Sequence, residues 1–431
     1  MKKNINTINI EELKTLASYI IDNNKRLYNE HKKTTAIEVV GESGLGKTSA
    51  IIQLAQERGM DCIKLNLSQL EELGDLIGFP IKEYYVCTER PRLDDDGMPV
   101  VENEIVIKDE ECLWVSADVL DSYIAEGYRI KDNISRMGYA LPAWVPTSQN
   151  ENGTILILDD FNRADPRFIQ ATMELIDRGE YISWSLPPNC TIILTSNPDN
   201  GDYNVNSMDN AQKTRYISFE LGFDKDVWAR WAEKEGIDGR FINFVLSYPE
   251  IMNKEGGVQK VNPRSLVTFA NTISGFKDWS DTNTLGLILN IAQGCFTSEE
   301  NVIGNLFTTF IANKLDKLMD PDTMLNKDWD YVKGELAKQV YDGTNYRADI
   351  AAVLTTRFCN FVNLYLDTKG SKTEVAVDRI LKIIEHDKML FSEDLIFSLI
   401  KTLQKNHPTR CNKLLLNPKV ARKLISVSYT H

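Results

Sequence analysis

A glycine-rich segment within the first fifty residues has the residue types of a phosphate-binding loop. It fits the pattern G-x-x-x-x-G-K-[ST] and comes directly after an apolar run at 36–40. Glycines let successive backbone N–H groups turn toward an anion, and the helix that follows aims its positive dipole end at the phosphates. The lysine would reach the β- and γ-phosphates of a nucleoside triphosphate, and the threonine would ligate Mg²⁺. The residues predicted to bind nucleotide are Gly41, Glu42, Ser43, Gly44, Leu45, Gly46, Lys47, Thr48 and Ser49.

A second chemical feature is a pair of acids at the end of the apolar run 154–158. We expect Asp159 to hold Mg²⁺ through water, together with Thr48, and Asp160 to orient or deprotonate an attacking water. Taken alone, the pair could equally be a helix cap. Combined with the phosphate loop, it predicts a site that hydrolyses a nucleoside triphosphate, with the choice between ATP and GTP left open.

The elements that must position these residues alternate between strand and helix. A leading helix is expected at 10–28, within residues 1–34. The apolar runs at 154–158 and 191–195 are typical of central parallel strands covered on both faces. The pattern therefore predicts a doubly wound α/β nucleotide-binding domain over 35–221, with strands at 36–40, 62–67, 154–159, 191–196 and 216–221 and helices at 48–57 and 166–178.

A long insert interrupts this pattern at about 81–149. It contains a turn signal at 94–97, which predicts a hairpin between 84–87 and 100–107. Such an insert is the expected place for contacts with a partner.

Helical patterns dominate after residue 221, where we expect a helical lid at 222–320 and an all-α C-terminal domain at 321–431. The helices predicted in the lid cover 227–235, 240–246, 263–273, 285–292 and 301–318.

Composition limits the class of protein. A net charge of −13 argues against a surface that coats nucleic acid indiscriminately, because phosphate contacts need positive potential. Residues 395–431, however, contain no acid. Their basic residues form either a solvated helical face or a docking surface for an acidic partner or nucleic acid: Lys401, Lys405, Arg410, Lys413, Lys419, Arg422 and Lys423.

The seven cysteines are an odd number and form no C-x-x-C pair, so the sequence predicts neither a zinc site nor a disulfide framework. We expect reduced, mostly buried thiols. No apolar run reaches the length of a membrane span, and the first residues do not resemble a secretion signal. A cytoplasmic protein is the expectation.

Four further segments give the chain a resemblance to AAA+ ATPases, and among them to the MoxR-like and dynein-related branch. Residues 69–78 resemble the D-L-x-G segment of that branch, and Phe161-Asn162-Arg163-Ala164 is similar to its E-x-N-R-A signature. Thr195-Ser196-Asn197-Pro198 resembles the sensor-1 end T-x-N-P, and 208–216 resembles L-x-x-A-x-x-x-R-F. Together with the loop and the acids, these segments cover about 35–221.

The resemblance implies roles for three further residues. Asn197 would place its amide between the γ-phosphate and the attacking water, although an Asn before Pro also forms ordinary turns. Arg215 would be an arginine finger inserted into a neighbouring subunit's site, with a local salt bridge as the alternative. Arg264, in a segment similar to sensor 2, would reach the γ-phosphate of its own subunit, unless it is a plain helix N-terminal turn. Asn162 and Arg163 would organise the interface, and Arg163 is a second finger candidate.

The resemblance further implies an ATP- and Mg²⁺-dependent ring, most simply a hexamer, that remodels a protein partner. One alternative is a clamp-loader-like or helicase-like ATPase that acts on nucleic acid. Another is a weakly hydrolysing, nucleotide-gated binding module, because the branch usually has Glu at the position of Asp160, one methylene longer. Beyond about residue 318 the resemblance thins.

Overall fold

The computed structural model describes residues 7–93, 98–102, 105–146, 150–199, 203–248, 251, 261–296, 302–368, 373–386 and 389–409. The predicted turn at 94–97 lies outside these ranges, as do Cys411 and the basic residues from Arg410 onward. The chain divides into two compact units. One comprises Met1–Glu42 and Gly46–Leu221, and the other comprises Ser43–Leu45 and Gly222–His431.

The first unit is built on a six-stranded parallel sheet whose neighbouring strands follow in the order Thr7–Ile8, Tyr216–Leu221, Ala36–Val40, Cys190–Ser196, Thr154–Asp159 and Asp61–Asn66. Its elements are β1 (Thr7–Ile8), α1 (Ile10–Asn29), β2 (Ala36–Val40), α2 (Lys47–Glu57), β3 (Asp61–Asn66), α3 (Leu73–Ile77), β4 (Pro80–Pro91), β5 (Val101–Glu102), β6 (Ile105–Val106), β7 (Lys108–Ser116), α4 (Leu120–Ala125), β8 (Arg129–Tyr139), β9 (Thr154–Asp159), α5 (Pro166–Arg178), β10 (Glu180–Tyr181), β11 (Trp184–Ser185), β12 (Cys190–Ser196), α6 (Asn210–Lys213) and β13 (Tyr216–Leu221).

The predicted fold class, an α/β domain built on a parallel sheet, is confirmed by this sheet. Every residue of β9 is buried, as expected of a central strand with both faces covered. Of the five strands predicted for the sheet, all are present. The two-residue edge strand β1, which pairs with the end of β13, was not predicted because two residues are too short to show a period.

The register of the sheet places the predicted site residues together. Val40 lies opposite Ser196, and Leu158 lies opposite Leu194, so β2, β9 and β12 end at the same edge. The phosphate loop follows β2, and the acids close β9. Ligands bind at this carboxyl edge in open parallel sheets.

The insert forms an antiparallel sheet with the order β7-β4-β8. The prediction that β4 pairs with 100–107 was wrong, because β4 pairs with β7 instead. Within 100–107, the short strands β5 and β6 pair with each other. The partner of β4 is the segment that follows them.

The same pairing corrects the prediction about cysteines. Cys87 on β4 lies directly opposite Cys112 on β7, and the two form a disulfide with their Cα atoms 4.1 Å apart. Spacing along the chain carried no sign of this contact, which depends on the register of the sheet. Among the described free cysteines, Cys359 is buried, Cys62 is exposed and the others are partly exposed, so the expectation of mostly buried thiols was also wrong.

The second unit is mainly helical. Its elements are α7 (Lys225–Lys234), α8 (Gly239–Ser247), α9 (Pro263–Ile273), α10 (Thr282–Cys295), α11 (Val302–Ala312), α12 (Pro321–Asn326), α13 (Trp329–Val340), β14 (Tyr341–Asp342), β15 (Asn345–Tyr346), α14 (Ala348–Thr368), α15 (Thr373–Glu385) and α16 (Glu393–Asn406). The hairpin of β14 and β15 is a departure from the predicted all-α region.

One hydrophobic core runs through this unit from Trp228 to Leu403 and is continuous across the expected division at residues 320 and 321. The buried Arg357 of α14 connects its helices: it donates to Glu233 of α7 at 2.8 Å and to Asn243 of α8 at 3.2 Å. None of the helices that the structure describes combines the length and the apolar character needed to cross a lipid bilayer.

Candidate active site

The phosphate loop turns the chain from β2 into α2 with two glycines in the left-handed region. Gly44 has φ +79° and Gly46 has φ +88°, conformations that other residues adopt only with strain. Gly46 is the N-cap of α2, so the first N–H groups of the helix are presented at the loop. The loop therefore has the backbone shape and the helix end that bind anions.

Lys47, at the start of α2, is buried and surrounded by oxygen atoms. Its ammonium group donates to the carbonyl oxygens of Gly41 at 2.6 Å and Glu42 at 3.1 Å. It also donates to Oδ1 of Asn197 at 3.3 Å. The structure thus brings together the loop lysine and the predicted sensor from separate strand ends.

Asp159 is held through both of its carboxylate oxygens. Oδ1 accepts hydrogen bonds from the hydroxyl groups of Thr48 at 2.6 Å and Thr195 at 2.7 Å. Oδ2 pairs with the ammonium group of Lys64 at 2.9 Å. Burial raises the pKa of Asp159, but these three partners outweigh it and hold the pKa below its usual value.

A hydroxyl and a carboxylate side by side are the oxygen ligands that Mg²⁺ prefers. The direct contact of Thr48 with Asp159 means that the residues present fit a magnesium ion.

Asp160 leaves the strand in a left-handed conformation, with φ +52° and ψ +38°, which Asp tolerates better than most residues. Its backbone N–H donates to Thr195 Oγ1 at 3.1 Å, and its Oδ1 accepts from Asn197 Nδ2 at 3.2 Å. Oδ2 lies 3.9 Å from Nη1 of Arg163. The second acid and the predicted sensor therefore contact each other directly.

The structure gives Asn162 a role inside the unit. It is buried and exchanges two hydrogen bonds with Asn197: Nδ2 donates to the carbonyl oxygen of Asn197 at 2.7 Å, and its Oδ1 accepts from the N–H of Asn197 at 3.1 Å. The Asn206 N–H in turn donates to the carbonyl oxygen of Asn162 at 2.8 Å. Asn162 thus fixes the end of β12.

Among the described residues, the predicted arginine finger Arg215 forms no hydrogen bond or ion pair with the site residues above. Arg215 is half-buried, and its Nη1 donates to the carbonyl oxygen of Ala211 at 2.8 Å. Among the described residues it forms no ion pair within 4.0 Å. A hydrogen bond from Lys33, with a smaller contribution from the charge of Arg215, holds the pKa of Asp177 below its usual value.

Arg264 belongs to the second unit, where it is exposed in the first turn of α9. Its N–H donates at 2.9 Å to the side chain of Asn262, the N-cap of that helix. The roles of Arg215 and Arg264 remain predictions.

Sequence reasoning missed three contributors to the site. Lys64 and Thr195 both contact Asp159, and Tyr203 donates its hydroxyl to Glu42 of the loop at 2.6 Å. Thr195 stands in the sensor-like motif, so its type was a usable signal. Lys64 and Tyr203 lie outside any motif, and only the folded chain shows their contacts.

Comparisons with known proteins give the following. No protein-family model matches the chain, and no curated protein matches it in sequence. Among solved structures, the chain is similar to the RuvB Holliday junction branch migration motor of Thermotoga maritima, with 12% identity over 69% of this chain and 72% of that one and a TM-score of 0.35. It is also similar to a putative ATPase from Cytophaga hutchinsonii, with 14% identity over 82% of this chain and 75% of that one and a TM-score of 0.26.

Proposed function

We propose that this protein is an AAA+ ATPase that hydrolyses ATP with Mg²⁺. The observation that carries the proposal is a set of contacts at one sheet edge, in which Thr195 links the two acids. Lys47 contacts Asn197, Asn197 contacts Asp160, and Thr48 contacts Asp159. A lysine, a hydroxyl, two acids and an amide in this arrangement are the parts that phosphoryl transfer to water needs.

The loop would bind the substrate. Backbone N–H groups at the start of α2 would hold the phosphates, and Lys47 would exchange its contacts with loop carbonyl groups for the β- and γ-phosphate oxygens. Thr48 and Asp159 would hold Mg²⁺. The ion would supply positive charge that neutralises the phosphates and orients them.

Asp160 and Asn197 would handle the attacking water. The amide of Asn197 would orient it, and the carboxylate of Asp160 would accept its proton. Asn162 holds the backbone of Asn197 through two hydrogen bonds, and contacts with Lys47 and Asp160 hold its side-chain amide, so the residue is positioned before substrate arrives.

We further propose that the complete site is shared between subunits of a ring, most simply a hexamer. Arg215 of one subunit would act as a finger in the site of the next, with Arg163 as a second candidate, and Arg264 would act in its own subunit. The support is the resemblance of 208–216 to the finger segment of the MoxR-like branch. The half-buried guanidinium of Arg215, without an ion pair among the described residues, is compatible with that role.

The work of the ring would be to remodel a protein partner, as the resemblance to the MoxR-like branch implies. The sheet of β4, β7 and β8 would be the contact surface. Its support is the presence of exposed apolar side chains on and beside β8, at Ile134, Met137 and Leu141.

A second candidate, the weakly hydrolysing nucleotide-gated module, is favoured by the surroundings of Asp160. One of its oxygens accepts from Asn197, and the other lies 3.9 Å from the guanidinium group of Arg163. Both oxygens therefore already face protein groups rather than a water molecule.

Phosphate release from ATP distinguishes the two candidates. The ATPase proposal expects Mg²⁺-dependent release by the parent protein and loss of release in Asp160→Asn, with ATP binding retained. Arg26→Ala, which removes an exposed cation paired locally with Glu30, serves as the control and should match the parent. Tight ATP binding with no release above the Asp160→Asn background would select the module instead.

A further inference from the structure

Lys64 is a cation built into the predicted magnesium site, although no motif contains it. It lies on β3, next to β9 in the sheet, and its Nζ is 2.9 Å from Oδ2 of Asp159. The side chain of Lys64 is 46% exposed, whereas that of Asp159 is 11% exposed. A partly solvated ammonium group therefore covers one face of a nearly buried carboxylate.

The two oxygens of Asp159 are used differently. Oδ1 already accepts from the hydroxyl groups of Thr48 and Thr195. A carboxylate oxygen has about two lone-pair sites, so Oδ1 has none left for a further donor. The water of a hydrated Mg²⁺ would have to donate to Oδ2, which is the oxygen that Lys64 contacts.

Two positive charges would then meet at one oxygen atom. The ammonium group and a divalent cation within several ångströms repel each other, and the repulsion is strong where burial limits screening. Lys64 is not needed to hold Asp159 in place, because Thr48 and Thr195 already fix its other oxygen. Removing the ammonium group would therefore remove the repulsion while Asp159 stays held through Oδ1.

We propose that Lys64 competes with Mg²⁺ for Asp159 and sets the Mg²⁺ concentration at which the metal joins the nucleotide. This inference rests on the proposed ATPase function. In the absence of Mg²⁺, the ammonium group keeps the carboxylate compensated. When Mg²⁺ binds, the Lys64 side chain rotates so that its ammonium group moves toward solvent.

The test uses the full chain and a fluorescent ATP analogue. Binding of the analogue is first measured in EDTA, and Mg²⁺ is then titrated into the preformed complex while the fluorescence reports binding of the metal. Lys64→Met keeps the length of the stem and removes the charge. It should bind the analogue in EDTA like the parent and lower the half-saturating Mg²⁺ concentration by about tenfold, the scale expected for a partly screened charge pair.

Two further variants make the result specific. Lys64→Arg keeps the charge and should keep the Mg²⁺ midpoint of the parent. Lys14→Met removes a different lysine of the first unit, which pairs with Glu57 at 2.8 Å, and should also leave the midpoint unchanged. Thermal unfolding of each variant confirms that it is folded before the titration.

The outcomes distinguish failure of the nucleotide site from failure of the proposed competition between Lys64 and Mg²⁺. No binding of the analogue by the folded parent would refute the nucleotide site itself. Normal binding with an unchanged or higher Mg²⁺ midpoint in Lys64→Met would refute the competition and leave the nucleotide site intact.

Discussion

Asn162 and Asn197 exchange two hydrogen bonds, from the side-chain amide of Asn162 to the carbonyl oxygen of Asn197 and from the N–H of Asn197 back to Asn162 Oδ1. The reciprocal pair joins the turn after β9 to the end of β12. It fixes the backbone of Asn197, whose side chain lies between Lys47 and Asp160. A residue that resemblance assigned to a subunit interface thus supports the site of its own chain.

Asn162→Ala should therefore impair hydrolysis more than binding. Loss of the pair leaves a buried carbonyl and an N–H group unsatisfied, at a cost of about 1–3 kcal/mol in the free energy of unfolding. Denaturant unfolding measures this cost, and ATP turnover measured well below the midpoint should fall. Asn206→Ala, which removes contacts to Asn162 and Ala164 without touching Asn197, is the comparison. Equal turnover in Asn162→Ala and the parent would show that the pair is not needed to position Asn197.

Substitution of Asp159 and substitution of Asp160 should have different effects. Asp160→Asn keeps the shape of the side chain and removes the base, so binding should persist while turnover falls by about 10²- to 10⁴-fold. Asp159→Asn should instead weaken the response of bound nucleotide to Mg²⁺, because Asp159 is the acid in contact with Thr48. Calorimetry with and without Mg²⁺, combined with phosphate release, distinguishes the variants. Identical behaviour of both would contradict the division of roles.

Arg215→Ala should bind ATP almost normally and hydrolyse it about 10³- to 10⁵-fold more slowly, the range known for fingers supplied to nucleotide hydrolases. Mixing inactive Arg215→Ala with inactive Lys47→Ala should restore part of the activity. A Lys47→Ala subunit can lend its arginine to an intact neighbouring loop. If light scattering showed that the protein is a monomer and this monomer were fully active, Arg215 would have a structural role instead.

The disulfide predicts a pattern of alkylation. If the unreduced protein is unfolded and treated with a thiol reagent, peptides containing Cys62, Cys190, Cys295 and Cys359 should be modified. Cys87 and Cys112 should react only after reduction. Peptide mass spectrometry reads out both sets, and modification of Cys87 without reduction would show that the bond is not formed.

The sequence contained most of the core of the first unit. The phosphate loop has a complete motif, and β9 is apolar from Ile155 to Leu158, so both could be located from residue types alone. The fold class followed from the alternation of such strands with helices. Each of these features is determined by residues that lie close together in the sequence.

The parts that escaped prediction depend on register between distant segments. Lys64 reaches Asp159 because β3 pairs with β9, and Cys87 reaches Cys112 because β4 pairs with β7 rather than with 100–107. No local pattern states which strands pair, or in which register. The burial of Asn162 could not be predicted either, because its motif gives the residue type but not the groups that the residue contacts.

The central claim, that the loop centred on Lys47 binds nucleotide phosphates, is tested most directly by isothermal titration calorimetry of ATP into the parent protein and into Lys47→Ala. Lys47 is buried among oxygen atoms, and a charged hydrogen-bond donor of this kind contributes about 1.5–3 kcal/mol, so the affinity should fall on the order of 10- to 100-fold. Lys14→Ala should bind ATP like the parent. Equal ATP affinity in the parent and a folded Lys47→Ala, or no ATP binding by the parent, would contradict the account.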